Sequence, residues 1–354
     1  MSLQSKPVNI GMVGAGFIGQ LAHLANYVEI DGCKIVALAE LRPDLRRRVC
    51  QRYDIPRSYS THKELINDPE VDAVVVVTPR SMTGPIALDC LSAGKHLMSE
   101  KPMAGTVEQA EKLVETAKNQ GVLYAVGYLK RHDSGIQKAK QILDELLATK
   151  ELGPVTFVRS HNFMGESYFN IDGHIVTTEK VPDDRTEWPI SPNWMSEKIG
   201  FQFARYLNTH CHNINLLRYL FDQTPSVNYV RLGQLEAQVA IFDFDNFPCI
   251  METGNFKHRG WDDNIEIYFS SGRLRIVGPQ GFLRNAPARV ELYKGGDINE
   301  IIIPQNEWSW GFRRQAESFI NNIREGNEPL ANAEDALNDM RLVEKMWQME
   351  TNQT

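Results

Sequence analysis

From residue 8 to about residue 127 the chain alternates between short, almost wholly apolar runs and longer amphipathic ones, and few architectures accept that pattern. Val8–Val13, Lys34–Ala39, Val74–Val77, His96–Ser99 and Val122–Val126 read as strands, and Phe17–Val28, Pro43–Tyr53, Ile86–Ala93 and Val107–Gln120 read as helices. A strand that is apolar along its whole length must be covered on both faces. Repeated β-α-β order with such strands therefore predicts an α/β region built on a parallel sheet with helices on either side.

The second half has a different rhythm. A long helix is expected over Gly135–Leu147, a break at Gly153-Pro154 and a strand from Val155 to His161. Asn162–Gly200 shows no period and is rich in Pro, Asp, Trp and Tyr, and a stretch that long is more often functional than a mere connection. After a helix near Asn208–Leu220, seven short runs read as strands, near Val227–Leu232, Gln238–Phe244, Cys249–Phe256, Asn264–Ser270, Arg273–Val277, Arg289–Tyr293 and Ile301–Ile303. Their Gly- and Asp-bearing turns suit an antiparallel sheet. Helices near Gly311–Arg324 and Ala333–Met349 close the chain. An α+β second domain with a large, mostly antiparallel, open-faced sheet is the expectation.

At 354 residues, two domains are expected. Lys and Arg number 38 against 45 Asp and Glu, a net charge of −7. With Arg46-Arg47-Arg48 as the longest basic run, the charge gives no support for a nucleic-acid partner. No apolar run reaches the roughly 18 residues that span a bilayer, and the strand pattern begins too near Met1 for a signal peptide. The five cysteines (Cys33, Cys50, Cys90, Cys211, Cys249) are odd in number and scattered, which points to a reducing, cytoplasmic compartment.

The first strand runs into Gly14-Ala15-Gly16-Phe17-Ile18-Gly19 and then a helix, and the next strand ends in Glu40. Glycines at that spacing, with an acidic residue some 20 positions on, indicate a dinucleotide site. Gly14 permits the tight turn, Gly16 admits the pyrophosphate to the backbone, and Gly19 lets helix and strand pack closely. The helix N-terminus presents free N–H groups and a positive dipole to the phosphates. Glu40 would accept the adenosine ribose hydroxyls. A 2′-phosphate there would be repelled by about 4 kcal/mol per charge pair at ~4 Å and an effective dielectric of ~20, which favours NAD over NADP. Arg42 would offset part of that penalty.

The segment Ala93-Gly94-Lys95-His96-Leu97-Met98-Ser99-Glu100-Lys101-Pro102 resembles the glucose–fructose oxidoreductase/inositol dehydrogenase (Gfo/Idh/MocA) family. So do Gly127–Arg131, Leu152-Gly153-Pro154-Val155, the helix His212–Leu220 and the final helices, so that the likeness covers about residues 8–350. The resemblance implies a Rossmann domain over 1–129, a substrate-binding and oligomerisation sheet domain over 130–330, and a C-terminal helix over 331–354 packed back on the nucleotide domain. It implies hydride transfer between a nicotinamide and a hydroxyl carbon of a sugar, polyol or derivative, and a homodimer or homotetramer. Lys101 maps beside the nicotinamide and the substrate hydroxyl, Glu100 near the nicotinamide ribose, and Thr78 and Pro79 in the loop under the cofactor. The Lys101–Pro102 bond is expected to be cis.

Two departures from the family pattern stand out. Where the family has Asp-x-Gly-x-His, this chain has Asn208-Thr209-His210-Cys211-His212. Asn208, His212 and Asn215 fall at i, i+4 and i+7 and are expected to share a polar face toward substrate. The resemblance leaves His212, Lys101 or both as the expected proton acceptor, since Asn208 cannot stabilise an imidazolium as a carboxylate would. His210 and His212, two apart on a helix, point to opposite sides, so no metal is expected. The family's Thr-Pro-Asn-x-x-His appears as Thr78-Pro79-Arg80-Ser81-Met82-Thr83, which predicts altered contacts there. In the irregular segment and just after it, Tyr168, Trp188, Trp194 and Tyr206 offer aromatic faces for a sugar, with Tyr168 and Trp194 the chosen candidates and His174 and Arg185 as polar partners. An NAD-dependent dehydrogenase is the leading expectation. A glycosidase working through transient oxidation and a dinucleotide-sensing regulator are the alternatives.

Overall fold

Six parallel strands make the first sheet, in the order β3-β2-β1-β4-β5-β6. They are β1 (Val8–Val13), β2 (Cys33–Ala39), β3 (Arg57–Tyr59), β4 (Ala73–Val76), β5 (His96–Ser99) and β6 (Tyr124–Val126). The computed structural model describes residues 6–166, 171–183 and 185–353 and divides them into two units. In the first unit β1 and β4 are buried at every position, as continuous apolar strands require. The helical run after the glycine loop, residues 17–27, is π-wound over Gly19–Leu24 and ends in α1 (Ala25–Tyr27). It is followed by α2 (Pro43–Arg52), α3 (His62–Ile66), α4 (Arg80–Ser92) and α5 (Val107–Gln120).

Two of these elements escaped the sequence reading. The strand β3 is three residues of Arg, Ser and Tyr at the sheet edge, with no apolar run to reveal it. The five-residue helix α3 is too short for a period. A capping box sets it, Thr61 accepting from the Glu64 amide while the Glu64 side chain reaches back to the Thr61 amide. The helix α4 starts six residues before the expected Ile86, because the Thr83 hydroxyl bonds the carbonyls of Thr78 and Pro79 and secures the first turn.

The second unit opens with a 3-10 turn (Leu129–His132) and α6 (Ser134–Thr149). Then come β7 (Val155–Glu166), α7 (Glu197–Phe221) and seven further strands. These are β8 (Ser226–Arg231), β9 (Ala237–Phe244), β10 (Phe247–Arg259), β11 (Trp261–Phe269), β12 (Gly272–Val277), β13 (Arg289–Lys294) and β14 (Glu300–Ile302). The sheet order is β14-β13-β12-β11-β7-β10-β9-β8, mixed because β7 and β10 run parallel and antiparallel elsewhere. One face is apolar, with Val158, Ile265, Ile267, Leu274, Ile276 and Val290 buried. The other carries alternating charges across five strands: Glu291, Arg273, Glu266, Arg159 and Glu252, linked at 3.3, 3.5, 3.9 and 2.8 Å. The segment expected to be irregular is regular only at its two ends, and its described middle, 171–183 and 185–196, holds no helix or strand. Strand β7 continues to Glu166 between β10 and β11, and α7 begins at Glu197, where the Ser196 hydroxyl accepts the Ile199 amide.

Two later stretches rejoin the first unit, 172–195 and 312–340. Helix α8 (Gly311–Glu325) adds Ala316, Phe319 and Ile320 to the core around Ile10, Met12 and Leu38. Ahead of α9 (Ala333–Gln353), the Val126 amide donates to the Ala331 carbonyl at 2.9 Å and Asn332 bridges Ala125 on β6. From Arg341 onward α9 groups with the second unit, where Trp347 packs edge-on against Phe203 and Tyr206. The domain division expected at 129/130 and 331 is therefore more interleaved, because apolar side chains of α8 complete the nucleotide core. Among the described residues no helix is long and apolar enough to cross a membrane.

Candidate active site

In the first unit, Gly14, Gly16, Glu40, Arg42, Thr78 and Pro79 line one groove of about 280 Å³ together with Ser60, His62, Met82 and Val181. Each glycine of the loop answers to a different constraint. Gly14 has φ +93°, and a Cβ there would lie 2.2 Å from the Val77 carbonyl oxygen. A Cβ on Gly19 would lie 2.7 Å from the Gly14 carbonyl oxygen. Gly16 is different: a Cβ there would meet nothing within 4 Å, so the chain itself does not require this glycine. Open space above a glycine amide at the start of a helical run fits a phosphate approaching the backbone. Phe17 and Ile18 stand beside the groove rather than in its wall, Phe17 edge-on to His174 and Ile18 against the core.

Glu40 is buried and fully engaged. Its carboxylate accepts the Ala15 amide at 2.9 Å, the Arg42 amide at 3.1 Å and the Arg42 guanidinium at 2.8 and 2.9 Å. Burial would raise its pKa, but the hydrogen bonds from Arg42 and Ala15 outweigh that and hold the carboxyl below the ordinary range. Thr78 and Thr83 share a hydrogen bond at 3.2 Å, so Thr83, which departs from the family pattern, serves the turn after β4.

At the end of β5, Glu100 is locked to His23 at 2.8 Å, and the His23 side chain is fully buried. Burial pushes the Glu100 carboxyl up, and the His23 hydrogen bond and charge bring it below the ordinary range. The carboxylate expected near the nicotinamide ribose thus also fixes the helical run after the glycine loop to the Lys101 turn. Lys101 is half-buried and its bond to Pro102 is cis.

The second unit holds a pocket of about 70 Å³ lined by His212, Lys130, Asp133, Trp261, Asp263 and Trp310 among others. Asp263 organises it, accepting Lys130 at 2.5 Å and the Asn213 amide at 3.2 Å. His212 sits half-buried on α7 facing this pocket, and Asn208 is half-buried one turn earlier. Asn215, expected on the same face, is instead buried and accepts Arg131 at 2.6 Å. It shares the angular position of Asn208 but lies about 10 Å further along the axis, beneath the 3-10 turn. His210 points into the interior against the Tyr206 ring, and burial together with the Lys130 charge pushes its pKa down to about 3.

The aromatic candidates separate. Tyr206 is buried against Trp347, and Trp188 seats its ring against Gly84, so both are packing residues. Trp194 remains 42% exposed, and Arg185 pairs with Glu187. Tyr168 lies outside the described residues. Among the described residues no three His, Cys, Asp or Glu side chains gather as metal ligands.

Residues 8–128 match the sequence profile of the Gfo/Idh/MocA oxidoreductase family's NAD-binding Rossmann fold, and residues 145–354 match that of its C-terminal alpha/beta domain. The chain belongs to the Gfo/Idh/MocA family of oxidoreductases. It is 29% identical over 344 residues to a myo-inositol 2-dehydrogenase of Thermotoga maritima, covering 93% of this chain and 92% of that one. Against a scyllo-inositol 2-dehydrogenase (NAD(+)) of Bacillus subtilis the identity is 22% over 332 residues, covering 93% and 90%. The fold matches an aldose-aldose oxidoreductase from Caulobacter crescentus with a TM-score of 0.76 at 19% identity, over 99% of each chain. As a Gfo/Idh/MocA protein it is an NAD(P)-binding oxidoreductase.

Sequence reasoning overlooked Lys130, Trp261 and Asp263. Lys130 sat within a stretch of family likeness, Gly127–Arg131, but was not singled out. The others lie in segments with no local motif, and only the fold brings Lys130, Trp261 and Asp263 together with His212.

Proposed function

We propose that the protein is an NAD-dependent dehydrogenase that moves a hydride between the nicotinamide and a secondary hydroxyl carbon of a sugar, polyol or sugar derivative. The observation that carries this reading is the pocket in which His212 stands beside the Lys130–Asp263 pair and the Trp261 and Trp310 rings. A polyhydroxylated ligand needs convergent donors and acceptors for its hydroxyls and an apolar surface for its C–H face. The inositol dehydrogenases among its relatives support the substrate class.

A bound nicotinamide supplies the carbon that takes or gives hydride. The chain's residues handle the rest. His212 takes the hydroxyl proton as the carbon loses hydride, leaving a ketone, and returns it in the reverse direction. Lys101 donates a hydrogen bond to the same oxygen, or itself accepts the proton. Asn208 orients the imidazole or a neighbouring hydroxyl, and Trp194 offers a ring for the ligand to stack on. The outward face of the second sheet, with Phe157 and Tyr229 still exposed, supports a homodimer or homotetramer. The buried thiols Cys90 and Cys249 support a cytoplasmic setting.

The test is absorbance at the reduced-nicotinamide band, with NAD or NADP and a panel of polyols, aldoses, amino sugars and glycosides. NAD reduction that falls by ~10²–10⁴ in Lys101→Met and in His212→Gln, with NAD affinity retained, is the expected result. Binding of NAD without net reduction by any substrate, together with hydrolysis of a glycoside, would replace the dehydrogenase with a transient-oxidation glycosidase.

A further inference from the structure

The helix α2 begins with Pro43, which has no N–H, so its first free amides are those of Asp44 and Leu45. Such a pair of N–H groups, at the end of β2 beside a cation, is the seat that an anion at the adenosine ribose would take. In this chain the seat is filled from within. Glu179, on the stretch that returns to the first unit, accepts the Asp44 amide at 3.0 Å and the Leu45 amide at 2.8 Å, one with each carboxylate oxygen. Thr177 holds it there, its hydroxyl donating to Glu179 at 3.2 Å and accepting the Glu179 amide at 3.1 Å. The amide bonds from Asp44, ahead of all other influences, keep the Glu179 carboxyl below the ordinary range, so it is an anion at neutral pH.

The same stretch is tied down at several points. Ile175 exchanges both amide bonds with Gln20, at 2.7 and 3.1 Å, and Arg48 donates to the Val176 carbonyl. Val181 reaches the wall of the groove that holds Glu40 and Arg42. Arg42, the one cation at that end which the sequence reading expected to soften the preference for NAD, is gripped by Glu40 through two nitrogens and feels the Glu179 charge as well.

We propose that Glu179 is a cofactor-specificity residue: its carboxylate occupies the position that the 2′-phosphate of NADP would need, and with Glu40 it takes up the Asp44 and Leu45 amides and the Arg42 guanidinium that would otherwise meet that phosphate. The inference rests on the dinucleotide reading of this groove and adds a second carboxylate, 139 positions beyond Glu40 (179 − 40), to the exclusion of NADP.

The experiment measures dissociation constants of NAD+ and NADP+ for the full-length protein by titration calorimetry, for wild type, Glu179→Gln, Glu179→Ala and Thr177→Val. In both Glu179 variants the NADP+ constant is expected to fall at least tenfold while that of NAD+ moves less than twofold. Thr177→Val loosens the same turn but keeps the charge, and is expected to leave the ratio of the two constants where wild type has it. An unchanged ratio in Glu179→Gln with NAD+ still bound overturns the assignment, as does an equal fall of the NADP+ constant in Thr177→Val or a wild type that prefers NADP+. A wild type that binds neither dinucleotide overturns the groove's reading as a nucleotide site, and the inference with it.

Discussion

Asp263 shows how much one side chain can organise. It is 4% exposed, balances Lys130 and takes the Asn213 amide on its other oxygen. Removing one member of a buried pair leaves a desolvated charge behind, so Asp263→Ala is expected to cost about 3–5 kcal/mol in urea unfolding. A paired Lys130→Met, Asp263→Leu variant should lose less than Asp263→Ala alone, since neither charge is then left stranded. His210, one turn from these groups, makes a separate prediction. Its pKa is depressed in the folded protein to about 3, against ~6.5 unfolded, so the unfolded state binds the extra proton. The stability of the neutral form is fully present above pH 6.5 and is lost as pH falls toward 3. At pH 5 the loss is about 2 kcal/mol. Urea midpoints at pH 7.5 and 5 should show it, and a His210→Gln variant should flatten the difference.

Among the elements, α6 depends on a cap with three partners. Asp133 accepts the Gly135 and Ile136 amides at 2.8 and 3.0 Å and also the Ala288 amide at 3.0 Å, joining the helix start to the loop before β13. Asp133→Ala should therefore cost about 2 kcal/mol, the upper end for a lost cap, read as a lowered urea midpoint with the helix content unchanged at zero denaturant. Such elements also show what sequence alone reveals. Strands β1, β2, β4 and β5 were legible because continuous apolar runs have one structural solution, and the glycine loop because its spacing has one chemical solution. Strand β3 and helix α3 were not, since register with β2 and a single capping box form them, and neither leaves a period. The start of α7 was obscured by Gly200 and the aromatic residues around it, although Gly200, Phe203, Ala204 and Leu207 do fall on one buried stripe. Of the pocket's lining, His212 was singled out through the family resemblance of its helix. Lys130, Asp263 and Trp261 were not, because long-range pairing alone brings them together.

At the scale of the whole molecule, the first unit is assembled from three separated stretches of chain, and its sheet edge is closed by the last of them. The Val126 amide is bonded to Ala331, and Ala125 pairs with Asn332. A chain ended at Asn327 keeps α8 but leaves β6 with an open edge, so amide exchange at Val126 should accelerate to near that of an unprotected strand. Unchanged protection there would mean that the edge is held by β5 alone. The same closure has a meaning for synthesis. Strand β6 leaves the ribosome nearly two hundred residues before α8 and the Ala331–Asn332 bridge, an interval of roughly 10–40 s at ordinary elongation rates. For that time the nascent nucleotide unit carries an uncovered apolar floor around Ile10, Met12 and Leu38. The groove of Gly14 and Glu40 has its whole lining by Val181, so what waits for the last segment is the cover of the core beneath it.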